Sequence, residues 1–171
     1  MRRESHVRFS EGGGVRSPSA TRLVEALGDR IEVSESPWLS TLLVAFNSKR
    51  APYDDARVRR ALSFAIDRWG AAAKLQNTTF LKYVGGIMRP GSNMATPESE
   101  LVTIPGFSRD ITSSREEARR LLAEAGIRDL KLTIMVRDIP MPHYAGADLL
   151  AESWRQIDVT ASQDRRNIWD W

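Results

Sequence analysis

Two histidines, no cysteine and no isolated cluster of acids set the chemical limits of this chain. Without cysteine it cannot build a disulfide, a thiolate metal site or a thiol nucleophile. His6 sits in an arginine-rich opening and His143 in a proline-flanked loop, so a histidine-based metal centre or other resident cofactor is not expected. A catalytic triad would have to use His143, yet no serine stands in a G-x-S-x-G elbow. The H-E-x-x-H, G-x-x-x-x-G-K-[ST] and G-x-G-x-x-G patterns are also missing. Asp54, Asp55, Glu116 and Glu117 stand where helices are expected to start, and negative charge there opposes the positive end of the helix dipole without any acid–base role. The arginines concentrate in "RVRR" (57–60) and "RDITSSREEARR" (109–120). Arg57, Arg60, Arg119 and Arg120 could follow a phosphate backbone. Acids nearby balance both clusters and no aromatic residues interleave them, which is the pattern of solvated helix faces. Neither an enzyme nor a nucleic-acid module is expected.

The elements that would position these residues follow from periodicity. "SPSATRLVEALGD" reads as a first helix ending near Gly28. "RIEVSESPW" alternates as a half-buried strand, and "LSTLLVAFN" is continuously apolar, as a strand covered on both faces would be. In "APYDDARVRRALSFAIDR" (51–68), Pro52 marks a turn, Asp54 is the expected N-cap and Asp55 adds charge at the helix start. Val58, Ala61, Leu62, Ala65 and Ile66 then form one face of a 3.6-residue period, with the arginines largely off it. Asp55 and Arg59 are spaced as an i,i+4 pair. "WGAAAKL" reads as a short helix, and residues 76–110 as a long irregular stretch of the kind that serves a function or packs on another part of a larger protein. In "SSREEARRLLAEAG", Ser114 and Glu117 make an expected capping box, Ala118, Leu121, Leu122 and Ala125 an apolar stripe, and Gly126 the stop. "DLKLTIMV" reads as a strand, "AGADLLAESWRQI" as a helix and "DVTAS" as the start of another strand.

The length of 171 residues suits one domain, and 25 basic against 22 acidic residues leave a surplus of only +3. Residues 1–16 read as a flexible basic arm, with Arg2, Arg3, Arg8 and Arg16 against Glu4 and Glu11, and residues 17–171 as a single folded unit. The longest apolar run, Leu42 to Phe46, is far short of the roughly 20 residues of a membrane helix, so no direct membrane span is expected. The opening lacks an apolar core and a small-residue cleavage site, so no secretory signal is read in it.

The order of these pieces resembles a known family. "LLVAFN", "APYDDARVRRALSFAIDR", "VGGIMRPG", "SSREEARRLLAEAG" and "AESWRQIDV" follow one another as in the family 5 extracellular solute-binding proteins of ABC importers, the dipeptide, oligopeptide and nickel binders. Asn47, Pro52, Tyr53, Asp55, Arg57, Val58, Arg59, Ala61, Leu62, Ala65, Ile66, Asp67 and Arg68 match the first signature. Ala118, Leu121, Leu122, Glu124, Ala125 and Gly126 match A-x-x-L-L-x-E-A-G. The likeness covers roughly residues 20 to 165. It implies a mixed α/β fold, namely an incomplete part of the second lobe of a type II-like, two-lobed periplasmic binding protein. It further implies capture of a peptide or similar small solute between lobes, delivery to an ABC permease, and a periplasmic or extracellular parent. A truncated structural or interaction domain without binding activity of its own is the alternative.

The resemblance also carries candidate ligand contacts. In peptide-binding members the loop between the strand after A-x-x-L-L-x-E-A-G and the next tryptophan-containing helix faces the cleft. Here that loop is "VRDIPMPHYAG", which makes Arg137, Asp138 and His143 candidates. Arg137 leads, because a guanidinium can hold a carboxylate through two parallel hydrogen bonds, although it also reads as a surface arginine beside Asp138. Trp38 is a candidate either for the cleft wall or for the core. Asn47 is expected to fix the end of its strand.

Overall fold

A computed structural model describes residues 25–30, 42–75 and 83–167, with the side chains of Asp29 and Met141 left aside. The basic arm, most of the first expected helix, all but Arg30 of the strand expected over 30–38, and Trp38 with it, lie outside the described residues, as do Trp169 and Trp171. Residues 25–27 are helical and pass into a 3₁₀ turn at Gly28–Arg30, where Gly28 has φ +46°.

Helix α1 (Ala56–Phe64) forms where the apolar period requires it: Val58, Ala61 and Leu62 are fully buried, as is Ala65 just beyond its end. Its cap is one residue later than expected. The Asp55 carboxylate, not that of Asp54, accepts the Arg57 N–H at 2.7 Å. Asp54 instead accepts the Asp55 N–H within the turn that holds the cis Ala51–Pro52 bond. The expected Asp55–Arg59 pair does not form either. Asp55 pairs with Arg57 at 2.6 Å, while Arg59 donates to the carbonyls of Tyr53 at 2.6 Å and Asp54 at 3.0 Å. A carboxylate engaged in capping folds over the first turn, within reach of the residue two ahead rather than the one a full turn on.

Helix α2 (Arg68–Leu75) follows. Asp67 starts it by accepting the Gly70 N–H at 2.8 Å, and a Cβ at Gly70 would fall 2.1 Å from that carboxylate, so a larger residue there would displace the cap. The stretch over 83–110 is irregular, as its sequence suggests, apart from one helical turn, α3 (Glu98–Leu101), behind Pro97. Arg68 fastens this stretch to α1: its guanidinium donates to the carbonyls of Ser63 at 3.0 Å and Gly106, and to Ser63 Oγ at 3.1 Å, and lies 4.6 Å from the Phe107 ring. Trp69 Nε1 donates to the Phe107 carbonyl at 2.8 Å, under the Arg109 guanidinium 4.0 Å away.

Helix α4 (Ile111–Glu124) packs on α1 through Ala118, Leu121 and Leu122. It begins three residues before the expected capping box, because Asp110 accepts the Ser113 N–H at 3.1 Å and the Ser113 hydroxyl at 2.7 Å. Ser114 is thereby inside the helix, with its hydroxyl returned to the Asp110 carbonyl at 2.8 Å. The helix stops as expected. Gly126 has φ +71°, its N–H reaches Ala123 O at 3.0 Å, and the Ile127 N–H reaches Leu122 O at 2.9 Å, the paired bonds of a glycine C-cap. The arginines are solvated as expected, with the Arg57 and Arg119 side chains 48% and 49% exposed, but two of them also tie helix ends across the fold: Arg57 donates to the Glu124 carbonyl at 2.8 Å and Arg119 to that of Gln156 at 2.7 Å. Arg120 pairs with Glu117 at 2.6 Å and also with Glu124.

Strand β1 (Lys131–Arg137), a π-helical turn (Pro140–Tyr144), helix α5 (Ala145–Arg155) and strand β2 (Thr160–Arg166) make a βαβ unit, with β1 and β2 parallel and in register from Lys131↔Thr160 to Arg137↔Arg166. Trp154 of α5 is 1% exposed and donates from Nε1 to the Leu62 carbonyl at 2.9 Å, joining this unit to α1. The strand expected over 39–47 is not found in its described part: residues 42–47 carry no ladder and Leu43 is 72% exposed. Continuous apolarity marks a segment that packs on both sides, but a strand also needs a hydrogen-bonded neighbour. Among the described residues the sheet is β1 and β2 alone.

Candidate functional site

The carboxyl ends of parallel strands are where α/β folds open toward ligands, because the chain must leave the sheet there and the crossover helix presents its N-terminus. At that end of β1 the last residue is Arg137, directly across the ladder from Arg166. The chain then turns: the Asp138 N–H donates to the Arg166 carbonyl at 2.8 Å, and the π-helical turn leads into α5. Three of the four candidates therefore meet. Arg137 and Asp138 are exposed, and His143 is half-buried in the turn. Burial depresses the His143 pKa, and the nearby charge of Arg137 depresses it further, so the imidazole favours its neutral form. Neutral imidazole can both donate and accept a hydrogen bond.

Asp138 already accepts one hydrogen bond, from the Tyr144 hydroxyl to Oδ1. The Arg165 guanidinium lies 3.9 Å from the Tyr144 ring, and Arg166 pairs with Asp164 at 2.8 Å. Arg137 makes no side-chain hydrogen bond or ion pair among the described residues, which leaves its guanidinium for solvent or an anion. Tyr144, Arg165 and Arg166 were not expected at this place. Extending the last strand from "DVTAS" through "QDRR" to its carboxyl end would have brought Arg166 level with Arg137 and Arg165 level with Val136.

No group of three or more histidines, cysteines, aspartates or glutamates suited to a metal ion occurs among the described residues. No described helix is long and apolar enough to cross a membrane.

Residues 14–167 match the family model described as "Bacterial extracellular solute-binding proteins, family 5 Middle". Among curated proteins, the chain is 35% identical over 98 residues to the periplasmic oligopeptide-binding protein OppA of Salmonella typhimurium, covering 56% of this chain and 17% of that protein. It is 26% identical over 140 residues to the dipeptide-binding protein of Escherichia coli, covering 77% and 24%, and 25% identical over 138 residues to heme-binding protein A of Haemophilus influenzae, covering 76% and 23%. The chain thus spans only 17% to 24% of these relatives. Among solved structures, its fold is similar to Haemophilus influenzae OppA in complex with RPPGFSPFR, at a TM-score of 0.60 and 21% identity, covering 91% of this chain and 30% of that one. A dipeptide-binding protein from Pseudoalteromonas sp. SM9913 aligns at 0.51 and 23% identity, covering 72% and 23%. With two signatures, a mixed α/β fold and a family match running nearly end to end, this chain belongs to the family 5 bacterial extracellular solute-binding proteins.

Proposed function

We propose that these residues form part of the second lobe of a two-lobed substrate-binding protein, which captures a peptide or similar small solute between its lobes and hands it to the permease of an ABC importer. The observation that carries this reading is the meeting of Arg137, Asp138 and His143 at the carboxyl end of a parallel strand pair, in a chain of this family. Arg137 supplies an unpaired guanidinium for a carboxylate, and neutral His143 a hydrogen bond. Asp138, held by Tyr144, positions the turn between them. Closure of two lobes would complete the contact surface. Trp38, outside the described residues, is kept as a contact to be tested by substitution.

Capture by one lobe leaves most of a ligand in water, so the isolated chain is expected to bind short peptides weakly or not at all. Isothermal titration against a mixed short-peptide pool tests this, and micromolar affinity in the 171-residue chain would show that the second lobe alone suffices. In the full-length protein, Arg137→Ala is expected to weaken binding of peptides at least about tenfold, the loss of one charge-assisted contact. Unchanged affinity there removes the proposed anchor. A second reading, a structural or interaction domain without its own ligand, is favoured by one observation: Leu43 and Ile87 are 72% and 81% exposed, more than a finished binding lobe would leave open.

A further inference from the structure

Arg137 can hold a ligand carboxylate only while no carboxylate of its own chain holds it, and the next residue is an acid. Arg137 and Asp138 are both exposed, and the chain bends tightly there, the Ile139 N–H closing onto the Arg137 carbonyl at 2.8 Å. A guanidinium in reach of a carboxylate makes a charge-assisted bond, stronger than one from a neutral hydroxyl. Acids two or three residues from an arginine are taken up in this way elsewhere in the chain: Arg166 pairs with Asp164 at 2.8 Å, Arg57 with Asp55 at 2.6 Å and Arg155 with Glu152 at 2.8 Å. Arg137 and Asp138 do not pair. The Asp138 carboxylate accepts the Tyr144 hydroxyl, and Arg137 has no ion pair among the described residues. The phenol is held from its other side. Tyr144 ends the π-helical turn, and its ring lies 3.9 Å from the guanidinium of Arg165, one residue before the end of β2. The Asp138 backbone is fixed separately, by its N–H on the Arg166 carbonyl at 2.8 Å, so the hydroxyl governs where the carboxylate points.

We infer that Tyr144 is a positioning residue that keeps the ligand anchor open: its hydroxyl draws the Asp138 carboxylate away from Arg137, with its ring held by Arg165, and the Arg137 guanidinium stays free for the carboxylate of a solute. The inference rests on the proposed role of Arg137 and adds what protects it. The competing account is purely structural, since a phenol that bridges a turn also stiffens it. The two accounts differ in what Asp138 does once the hydroxyl is gone. If the hydroxyl diverts a competitor, Asp138 turns to Arg137 in Tyr144→Phe, and removing its charge reopens the anchor. If the hydroxyl only stiffens the turn, removing that charge restores nothing. Asp138→Asn is the right probe, because it keeps a side-chain oxygen as acceptor and removes the charge alone.

Isothermal titration of the full-length protein with the mixed short-peptide pool reads the effect on affinity. Tyr144→Phe keeps the ring beside Arg165 and is expected to weaken binding about three- to fivefold, the reach of an exposed carboxylate competing for a guanidinium. Tyr144→Phe combined with Asp138→Asn is expected to recover most of that loss, and Tyr144→Phe added to Arg137→Ala to cost nothing further. Unchanged affinity in Tyr144→Phe overturns the inference, and so does a loss that the combined variant fails to recover. His143 reports the same event without a ligand, because the Arg137 charge helps to depress its pKa. In an imidazole NMR titration of the 171-residue chain, Tyr144→Phe is expected to raise the His143 midpoint, as Asp138 offsets that charge, and adding Asp138→Asn to reverse the rise. A midpoint that Tyr144→Phe leaves in place overturns the inference. A further rise when Tyr144→Phe is added to Arg137→Gln also overturns it, since Asp138 would then be meeting the imidazole itself. The two proposals fail separately: a full-length protein that takes no peptide discards the function and leaves the NMR titration to decide on Tyr144, whereas peptide binding with an unmoved midpoint does the reverse.

Discussion

At the scale of single residues, the pair Arg137 and His143 is the most informative. Burial and then the neighbouring guanidinium hold the His143 pKa below its ordinary value. Since the folded-state value lies below the unfolded one, the neutral ring's contribution to stability is complete above about pH 6.5 and is lost as pH falls toward the folded-state value. Arg137→Gln is expected to raise the His143 pKa part of the way back, burial remaining, and an imidazole NMR titration reads it directly. No change would place Arg137 too far from the ring to matter. His143→Gln should in turn flatten the difference in urea midpoint between pH 7.5 and pH 5.5. The proximity of these two side chains was legible only through the resemblance, because nothing in the periodicity of "VRDIPMPHYAG" says that the turn folds back on the strand end.

At the scale of elements, the helix faces were legible and the helix starts were not. Val58, Ala61, Leu62 and Ala65, and Ala118, Leu121 and Leu122, are buried as their spacing requires. Each start offered two or more capping side chains within a few residues, and the choice among Asp54 and Asp55, or Asp110 and Ser114, turned on where the preceding loop enters. Asp55→Ala is accordingly expected to lower the thermal midpoint by about 2–4 °C, the usual effect of a lost N-cap in a domain of this size. Asp54→Ala should leave it nearly unchanged. A larger loss for Asp54→Ala than for Asp55→Ala would return the cap to Asp54. Arg57 depends on the same carboxylate, whose pKa its hydrogen bonds depress. That contribution is therefore present above the ordinary aspartate range and is lost as pH falls through and below it.

For the whole molecule, the link that matters is Trp154. It joins the βαβ unit to the α1–α4 pair by burying its ring beside Phe46 and donating to the Leu62 carbonyl. Trp154→Phe keeps most of the packing but leaves that buried carbonyl without its donor, at an expected cost of about 1–3 kcal/mol. Trp154→Ala, which also opens a cavity, is expected to cost about 3–5 kcal/mol. Urea unfolding followed by far-UV circular dichroism measures both, and equal losses would mean that the hydrogen bond contributes nothing beyond the ring. Near the start of α5 a separate contact is close: a Cβ on Gly146 would lie 2.5 Å from the Leu42 side chain.

By itself the sequence determined the helical faces, the stop at Gly126, the strands over 131–137 and from 160, and the family, because each is written in residues close together along the chain. Only the tertiary structure decided that Arg166 stands across from Arg137, that the exposed Arg57 and Arg119 also tie helix ends, and that residues 42–47 join no ladder among the described residues. Register, long-range hydrogen bonds and the lack of a neighbour depend on segments distant in sequence, and no local pattern of apolar and charged residues records them.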